Sequence, residues 1–324
     1  MTSTLSAPET RIVAPEAAGL LAPGGAAGLA AAPLTPDQRE RPAVVPGQAK
    51  VLSGVPLATA IRAETAARAA VLTAAGRPPK LAVVTATDSE ASAWYVRSLA
   101  SMARRVGILC EITDLGPAAG EQEIVRVLEL LSADPGVHGV ILQTPLPAGL
   151  KLPDLARAID PAKDVDGANP ESLGRLAAGL PAYAPATAES VVTLLEYHRV
   201  PLAGQDVVMV GHSTVVGKPA ALLLLDREAT VTVCHARTRD LAAHTSQADV
   251  VVVAVGKAGL ITPGHVRPGA TVIDVGTNPT PDGGLAGDAD PAVATVAGGL
   301  SPVPGGVGPV TTALLLKHTV DAAS

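Results

Sequence analysis

The sequence predicts an α/β protein of two lobes, and three observations support that prediction. From residue 51 onward, apolar runs of strand length alternate with helix-like segments, a rhythm typical of parallel sheets covered by helices. Two such series occur, and one helix-like segment at 187–200 separates them. A chain of 324 residues, 48% hydrophobic and 17% charged, is long enough for about two domains of the usual size. We therefore expect an N-terminal βαβ substrate lobe, a C-terminal Rossmann-like doubly wound parallel sheet, and a ligand-binding cleft between them.

Residues 1–48 differ from the rest of the chain. They are rich in Ala, Pro and Gly and show no sustained hydrophobic period, which predicts a flexible tail. The segment lacks a basic stretch followed by a long apolar core, so we do not expect a secretory signal. Its acidic residues Glu9, Glu16 and Asp37 argue against an organellar transit peptide. We expect a cytoplasmic protein.

The first lobe is expected to span residues 49–186. Its predicted strands lie at 81–85, 108–112 and 137–143. The helix-like segments around them lie at 56–76, 92–106 and 121–133. Within the second of these helices, one face has an apolar stripe at helical spacing, formed by Tyr95, Leu99, Met102 and Val106. Tyr95 and Leu99 are one turn apart, so we expect both to point at the cleft if Tyr95 contacts a ligand.

The second lobe is expected to span residues 187–308. Its predicted strands lie at 206–210, 230–234, 249–255 and 271–276. Thr187 is a plausible cap for the helix that connects the lobes. The closing segment 309–322 is expected to be a helix that returns to the first lobe.

The turn after the first strand of this lobe carries the clearest binding signal. It reads Gly211-x-Ser213-x-x-x-Gly217 between an apolar strand and a helix, and the N-terminus of such a helix favours a pyrophosphate. The alternative is purely structural: Gly211 lets the chain reverse, and Gly217 lets the helix pack close to the sheet. After the next strand, Arg237 occupies a place where a basic residue suits a 2′-phosphate, which favours NADP over NAD.

The first lobe offers polar side chains where its last strand ends. Gln143 lies at the carboxyl end of that strand, where open α/β sheets usually contact their ligands. In the segment 159–170, Asp164 fits an ordinary turn residue, whereas Asp166 fits an acceptor for adjacent N–H groups of a ligand. Near the C-terminus, the segment 301–312 combines three prolines with glycines and predicts a rigid wall beside a ligand.

Several classes of partner are not expected. A formal net charge of −6, a single Trp and no Phe argue against a nucleic-acid partner. No Cys/His spacing indicates a metal site, and no apolar run reaches the length of a membrane span.

Seven segments in this order resemble one family: AWYVRS, VHGVILQTPLP, IDPAKDVDG, GHSTVVGKPAALLL, ADVVVVAVGK, VIDVGTN and PVPGGVGPVTTALLL. The chain resembles the bifunctional methylenetetrahydrofolate dehydrogenase/methenyltetrahydrofolate cyclohydrolases over roughly residues 51–320. That resemblance implies oxidation of 5,10-methylenetetrahydrofolate with NADP (NAD being possible), hydrolysis of the methenyl product to 10-formyltetrahydrofolate, and a homodimer.

The resemblance also implies roles for individual residues. Tyr95 would stack on the folate, Gln143 would lie at the reacting carbon, and Asp166 would bind the pterin edge, so these three are the candidate catalytic residues. The folate cleft would further be lined by Pro304, Gly305, Gly306, Val307 and Gly308. The cofactor would be contacted by Gly211, His212, Ser213 and, at its nicotinamide end, Thr277.

Two departures from the family pattern change what we expect of the activity. Leu99 stands where the family has its catalytic lysine, and His212 stands where it tends to have an arginine. Hydride transfer depends mainly on positioning, whereas hydrolysis needs proton transfer. We therefore expect a dehydrogenase whose cyclohydrolase activity is weak or lost. The alternatives are a catalytically silent folate-binding paralogue, the full bifunctional enzyme, or an oxidoreductase for another small substrate.

Overall fold

The computed structural model describes residues 49–324, so the predicted tail 1–48 lies outside the described residues. The helices of this part are α1 (Val55–Ala74), α2 (Glu90–Arg105), α3 (Glu121–Ala133), α4 (Leu152–Ala156), α5 (Pro170–Ala177), α6 (Ala186–Tyr197), α7 (Gly217–Leu225), α8 (Leu241–Thr245) and α9 (Val307–Ala322). Its strands are β1 (Lys50–Val51), β2 (Lys80–Thr85), β3 (Leu109–Asp114), β4 (Gly139–Leu142), β5 (Asp206–Val210), β6 (Thr230–Cys234), β7 (Val250–Val253), β8 (Thr271–Asp274), β9 (Asn278–Pro279), β10 (Leu285–Ala286) and β11 (Gly299–Leu300).

The strands form two parallel sheets and one small hairpin. The first lobe contains a three-stranded sheet in the order β3-β2-β4, and the second contains a six-stranded sheet in the order β1-β11-β8-β7-β5-β6. Every pairing in these two sheets is parallel, while β9 and β10 pair antiparallel. The predicted fold class, two α/β lobes with a Rossmann-like sheet in the second, is confirmed.

Burial depends on what covers each strand. All residues of the central strand β7 are buried between its neighbours, and all residues of β4 are buried although it ends its sheet, because α9 and α3 contact it. The edge strands β3 and β6 are mostly exposed or half-buried despite similar apolar sequences. Apolar composition therefore predicts a strand without predicting whether it lies at an edge.

Two local predictions were wrong. Lys50–Val51 pairs with Gly299–Leu300 in the six-stranded sheet, although the predicted boundary assigned residue 50 to the first lobe; strands of two residues carry no readable period. Thr187 does not cap the connecting helix, because α6 begins at Ala186 after Pro185 without a side-chain cap. The remaining lobe boundaries stay a prediction.

Helix α9 returns to the first lobe after the chain has built the second. It packs along α1 and α6 and contacts β4. Its buried residues include Val310, Leu314 and Leu316, so apolar packing fixes it in place. The C-terminal helix thereby joins the two lobes and forms part of the cleft between them.

Among residues 49–324, no helix combines the length and the hydropathy that crossing a membrane requires. The cytoplasmic location stays a prediction.

Candidate functional site

A cavity of about 470 Å³ lies between the two sheets. Both lobes and α9 contribute to its wall. Its lining residues are Tyr95, Ile141, Leu142, Gln143, Thr144, Leu152, Asp166, Thr187, Val215, Val216, Ala254, Gly256, Val275, Gly276, Thr277, Asp288, Val307, Gly308, Thr311, Thr312 and Leu315. The structure therefore brings together four predicted polar or aromatic site residues: Tyr95, Gln143, Asp166 and Thr277.

Tyr95 lies half-buried on α2 and faces α9. Burial, and then the negative charge of Asp166, raise the pKa of the Tyr95 hydroxyl to about 12, while a hydrogen bond with Thr312 acts in the opposite direction. The ring is thus held between α2 and α9 at the cavity wall. Tyr95 stays a neutral phenol at physiological pH, available for stacking and hydrogen bonding.

Gln143 follows β4, at the carboxyl end of the three-stranded sheet. Its backbone N–H donates to the carbonyl of Val84 (2.9 Å), which ties it to the neighbouring strand. Its side-chain Nε2 donates to the carbonyl of Thr144 (2.7 Å). These two bonds fix the carboxamide at the cavity wall.

The two aspartates of the segment 159–170 have different environments. The buried carboxylate of Asp164 accepts hydrogen bonds from the N–H groups of Ala168 and Asn169 (both 2.9 Å) and from the Ser172 hydroxyl (2.7 Å). Asp164 is therefore a turn residue, as predicted. Asp166 instead lines the cavity, where burial and the nearby charge of Asp164 raise its pKa to about 7.

Leu99 does not face the cavity, so the prediction that it shares the cleft with Tyr95 is wrong. Its side chain is 0% exposed and belongs to the main hydrophobic core with Val96 and Ala103. Tyr95 and Leu99 lie on one face of α2, but Tyr95 lines the cavity whereas Leu99, one turn later, is already in the core. The stripe that begins at Tyr95 is core packing from Leu99 onward.

The Pro/Gly-rich wall before α9 is divided between two environments. Val307 and Gly308 line the cavity. Gly305 accepts a hydrogen bond from the N–H of Gly54 (2.8 Å), and Pro304 is exposed. A Cβ atom at Gly54 would lie 2.0 Å from the carbonyl oxygen of Gly306, so this part packs tightly against the start of α1. A folate contact by Pro304, Gly305 and Gly306 stays a prediction.

The glycines of the β5–α7 turn allow unusually close backbone contact. Gly211 has a φ of +129°, and a Cβ atom there would lie 2.4 Å from the carbonyl oxygen of Ala254. A Cβ atom at Gly217 would lie 2.3 Å from the carbonyl oxygen of Gly211. Ser213 accepts a hydrogen bond from the N–H of Val216 (3.2 Å), within the turn. The packing role of both glycines is confirmed, and a nucleotide-binding role stays a prediction.

Two histidine rings meet where β5 and β6 end. The rings of His212 and His235 are 5.1 Å apart in an edge arrangement, and the backbone N–H of Arg237 donates to His235 Nδ1 (3.1 Å). All three residues are exposed. His235 was not predicted as a site residue, although its place directly after β6 is the signal that identified Arg237.

Two buried aspartates, also missed, organise the opposite rim of the cavity. The carboxylate of Asp288 accepts from the N–H groups of Val255 (2.7 Å), Gly256 (3.0 Å) and Lys257 (2.8 Å). Asp274, at the end of β8, accepts from the N–H of Asp288 (2.9 Å). The loop after β7, the end of β8 and the segment after β10 are therefore held together beside Thr277, which suits a rigid binding wall.

Two family models match most of the chain. The catalytic domain of tetrahydrofolate dehydrogenase/cyclohydrolase matches residues 52–166, and the NAD(P)-binding domain of the same family matches residues 185–324.

Individual relatives agree with the family models. The bifunctional protein FolD 1 of Saccharopolyspora erythraea is 64% identical over 85% of this chain and 94% of its own length. That of Rhodococcus jostii is 62% identical over 84% and 92%. The crystal structure of the bifunctional FolD methylenetetrahydrofolate dehydrogenase/cyclohydrolase from Campylobacter jejuni is 37% identical, with a TM-score of 0.82 over 85% of this chain and 98% of that one. The Trypanosoma brucei dehydrogenase-cyclohydrolase, solved with NADP and an inhibitor, is 34% identical, with a TM-score of 0.81 over 85% and 97%.

Proposed function

This chain belongs to the tetrahydrofolate dehydrogenase/cyclohydrolase family, and from that membership we propose that it oxidises 5,10-methylenetetrahydrofolate to the 5,10-methenyl compound and hydrolyses that product to 10-formyltetrahydrofolate. The observation that carries the proposal is the cavity between the lobes, which Tyr95, Gln143 and Asp166 line from one side and Thr277 from the other. A folate and a nicotinamide cofactor would meet in this cavity.

In the oxidation, the chain acts mainly by positioning the substrate. The Tyr95 ring, held against α9, provides a stacking surface for the pterin. Asp166, when ionised, accepts hydrogen bonds from the N–H groups of the pterin edge, and Gln143 places its carboxamide at the reacting carbon. When bound, the cofactor supplies the acceptor for the hydride that leaves the methylene carbon.

NADP is the cofactor we favour, because the structure provides basic side chains at the expected place. The turn joins β5 to the N-terminus of α7, the place where a parallel α/β sheet receives a pyrophosphate, and His212 and Ser213 are exposed there. Arg237 provides the charge that suits a 2′-phosphate. A relative 34% identical to this chain was solved with NADP, which supports the same assignment.

For the hydrolysis, the comparisons oppose the expectation of a weak or lost cyclohydrolase, since relatives 64% and 62% identical are named bifunctional. Hydrolysis still needs a group that transfers protons, and Leu99 has none.

The proposed partner is a second copy of the chain, joined through β3. This strand is the outer edge of the three-stranded sheet, so its unpaired backbone groups are free to pair with another strand. Its side chains Leu109 and Ile112 are 54% and 43% exposed, an unusual surface for a strand without a covering partner. Antiparallel pairing of two β3 strands would join the first lobes of a homodimer and leave both cavities open.

Two assays on purified protein test the proposed reactions. Methylenetetrahydrofolate should reduce NADP, and NAD more weakly, and methenyltetrahydrofolate should be hydrolysed well above its rate in solution. Folate binding with no turnover would indicate the silent paralogue instead, and no folate binding at all would rule out the proposal.

The variant Asp166→Ala tests the central residue. Loss of a hydrogen-bonded carboxylate should weaken folate binding by about 1.5–3 kcal/mol and reduce hydrolysis, while cofactor affinity stays the same. Asp154→Ala, an exposed carboxylate on α4, is the matched control. Unchanged folate affinity of Asp166→Ala by calorimetry would remove Asp166 from the site.

A further inference from the structure

His318, on α9, is a buried titratable residue close to the cavity wall. Its side chain is 3% exposed, and both ring nitrogens have partners on other elements. Nδ1 lies 2.8 Å from the carbonyl oxygen of Val165, and Nε2 lies 3.0 Å from Oε2 of Glu189 on α6. Tyr183 packs beside the ring, with centroids 5.0 Å apart. The cavity does not include His318, so the residue lies behind the wall that Asp166 forms.

The two partners determine the protonation of the ring. A carbonyl oxygen only accepts, so Nδ1 must carry a proton. An ionised carboxylate also only accepts, so Nε2 must carry a second proton, and the ring is an imidazolium paired with Glu189. A neutral ring with its proton on Nδ1 would direct a lone pair at the carboxylate of Glu189.

The charged groups around the ring agree with this assignment. Asp164 and Asp166 face it from the loop after β4, Glu189 faces it from α6, and Lys317 precedes it on α9. Burial alone lowers the pKa of His318, but the hydrogen bond and the charge of Glu189 outweigh burial and raise the pKa above its ordinary value.

The ring acts on Asp166 in two ways. Val165 directly precedes Asp166 and is fully buried, so the hydrogen bond to its carbonyl fixes the backbone from which the Asp166 side chain projects. The positive charge also opposes the effects of burial and of Asp164, and so favours the ionised form of Asp166.

We propose that the His318–Glu189 ion pair positions Asp166: the pair directs the Asp166 carboxylate into the cleft and keeps that carboxylate ionised for folate binding. This inference rests on the proposed function, because it requires Asp166 to contact the folate. His318 itself touches neither substrate nor cofactor.

The first test concerns the charge of the ring and needs no substrate. In ¹⁵N-histidine NMR spectra of the full chain at neutral pH, His318 should appear doubly protonated, and Glu189→Gln should convert it to the neutral form. A neutral His318 in the parent protein would overturn the ion pair.

The second test follows catalysis with His318→Asn, whose amide can still donate to Val165 but carries no charge. The KM for methylenetetrahydrofolate should rise about tenfold, equivalent to about 1.4 kcal/mol, while the KM for NADP stays the same. The acid limb of kcat/KM for the folate should move up by about one pH unit, because an unopposed Asp166 protonates more easily. Glu189→Gln should move the acid limb in the same direction by a smaller amount. This variant provides the test if His318→Asn does not fold.

The matched control is His198→Asn. His198 also bonds a backbone carbonyl, that of Ser53 at 3.0 Å, but lies away from the cavity. Its pH profile should equal that of the parent. If Asp166→Ala impairs folate binding but neither folded His318→Asn nor Glu189→Gln shifts the acid limb, the positioning role is wrong and the proposed function stands. If Asp166→Ala leaves folate binding unchanged, the proposed function fails, and this inference fails with it.

Discussion

At residue 99, helix α2 places a leucine in the core only one turn after Tyr95 reaches the cleft. Leu99 is fully enclosed and lies in the same cluster as Ala103 and Leu315. The helical spacing identified the shared face correctly. It could not give the depth of each residue, because depth depends on which parts of the chain pack over each turn of that face.

Leu99→Ala should therefore behave as a core truncation. We expect the free energy of unfolding to fall by about 2–5 kcal/mol, the usual cost of a cavity left by a buried leucine. Denaturant titration measures the change, and the volume-conserving Leu99→Met should cost less than about 1.5 kcal/mol. If Leu99→Ala is as stable as the parent, Leu99 does not belong to the core.

Arg237 is the residue on which the proposed preference for NADP depends. Arg237→Ala should raise the KM for NADP roughly 10- to 100-fold, the worth of a hydrogen bond to a charged group, and leave that for NAD nearly unchanged. Arg239→Ala, an exposed arginine two residues later, is the control. Equal effects on both cofactors would transfer the role to His212 or His235.

The sequence could place a residue at the cavity where position along a strand determines the environment. Gln143 follows a strand whose carboxyl end meets the cleft, whereas Thr277 was expected there only from the family resemblance; both line the cavity. His318 and Glu189 were not found, because they lie on separate helices and only the packing of α9 against α6 brings them together.

At the scale of elements, the β5–α7 turn depends on the absence of side chains. Gly217→Ala would place a Cβ atom 2.3 Å from the carbonyl oxygen of Gly211, and backbone atoms cannot yield as the end of a flexible side chain can. We expect a loss of about 1–3 kcal/mol of stability and weaker NADP binding, measured by thermal unfolding and by titration.

The control for this turn is Gly174→Ala in α5. No atom lies within 4 Å of its Cβ position, so the exchange should be neutral or should stabilise the helix by up to about 1 kcal/mol. A Gly217→Ala protein that binds NADP like the parent would show that the turn tolerates displacement.

Long elements were predicted well and short ones were not. The helix at 121–133 and the strands at 206–210 and 230–234 have the predicted bounds, because each has a complete apolar period. The two-residue strands β1 and β11 exist only through their pairing in the large sheet, which no local pattern encodes.

At the scale of the whole molecule, the exposed edge of β3 predicts the assembly. Ile112→Lys places a charge in the middle of the proposed interface and should convert the homodimer to a monomer in sedimentation experiments, without unfolding the chain. Val233→Lys is the matched control, since Val233 is a similarly exposed residue, at 42%, on the opposite edge strand β6 of the larger sheet. A parent protein that sediments as a monomer would contradict the proposed homodimer.

The position of α9 also has a consequence for biosynthesis. The first lobe is translated early, but the helix that packs against α1 and carries His318 is translated after the second lobe. During synthesis, part of the apolar surface of the first lobe therefore stays exposed until the second lobe and α9 have been made. Until α9 has been made and has docked, a nascent or prematurely terminated chain lacks part of the cavity wall.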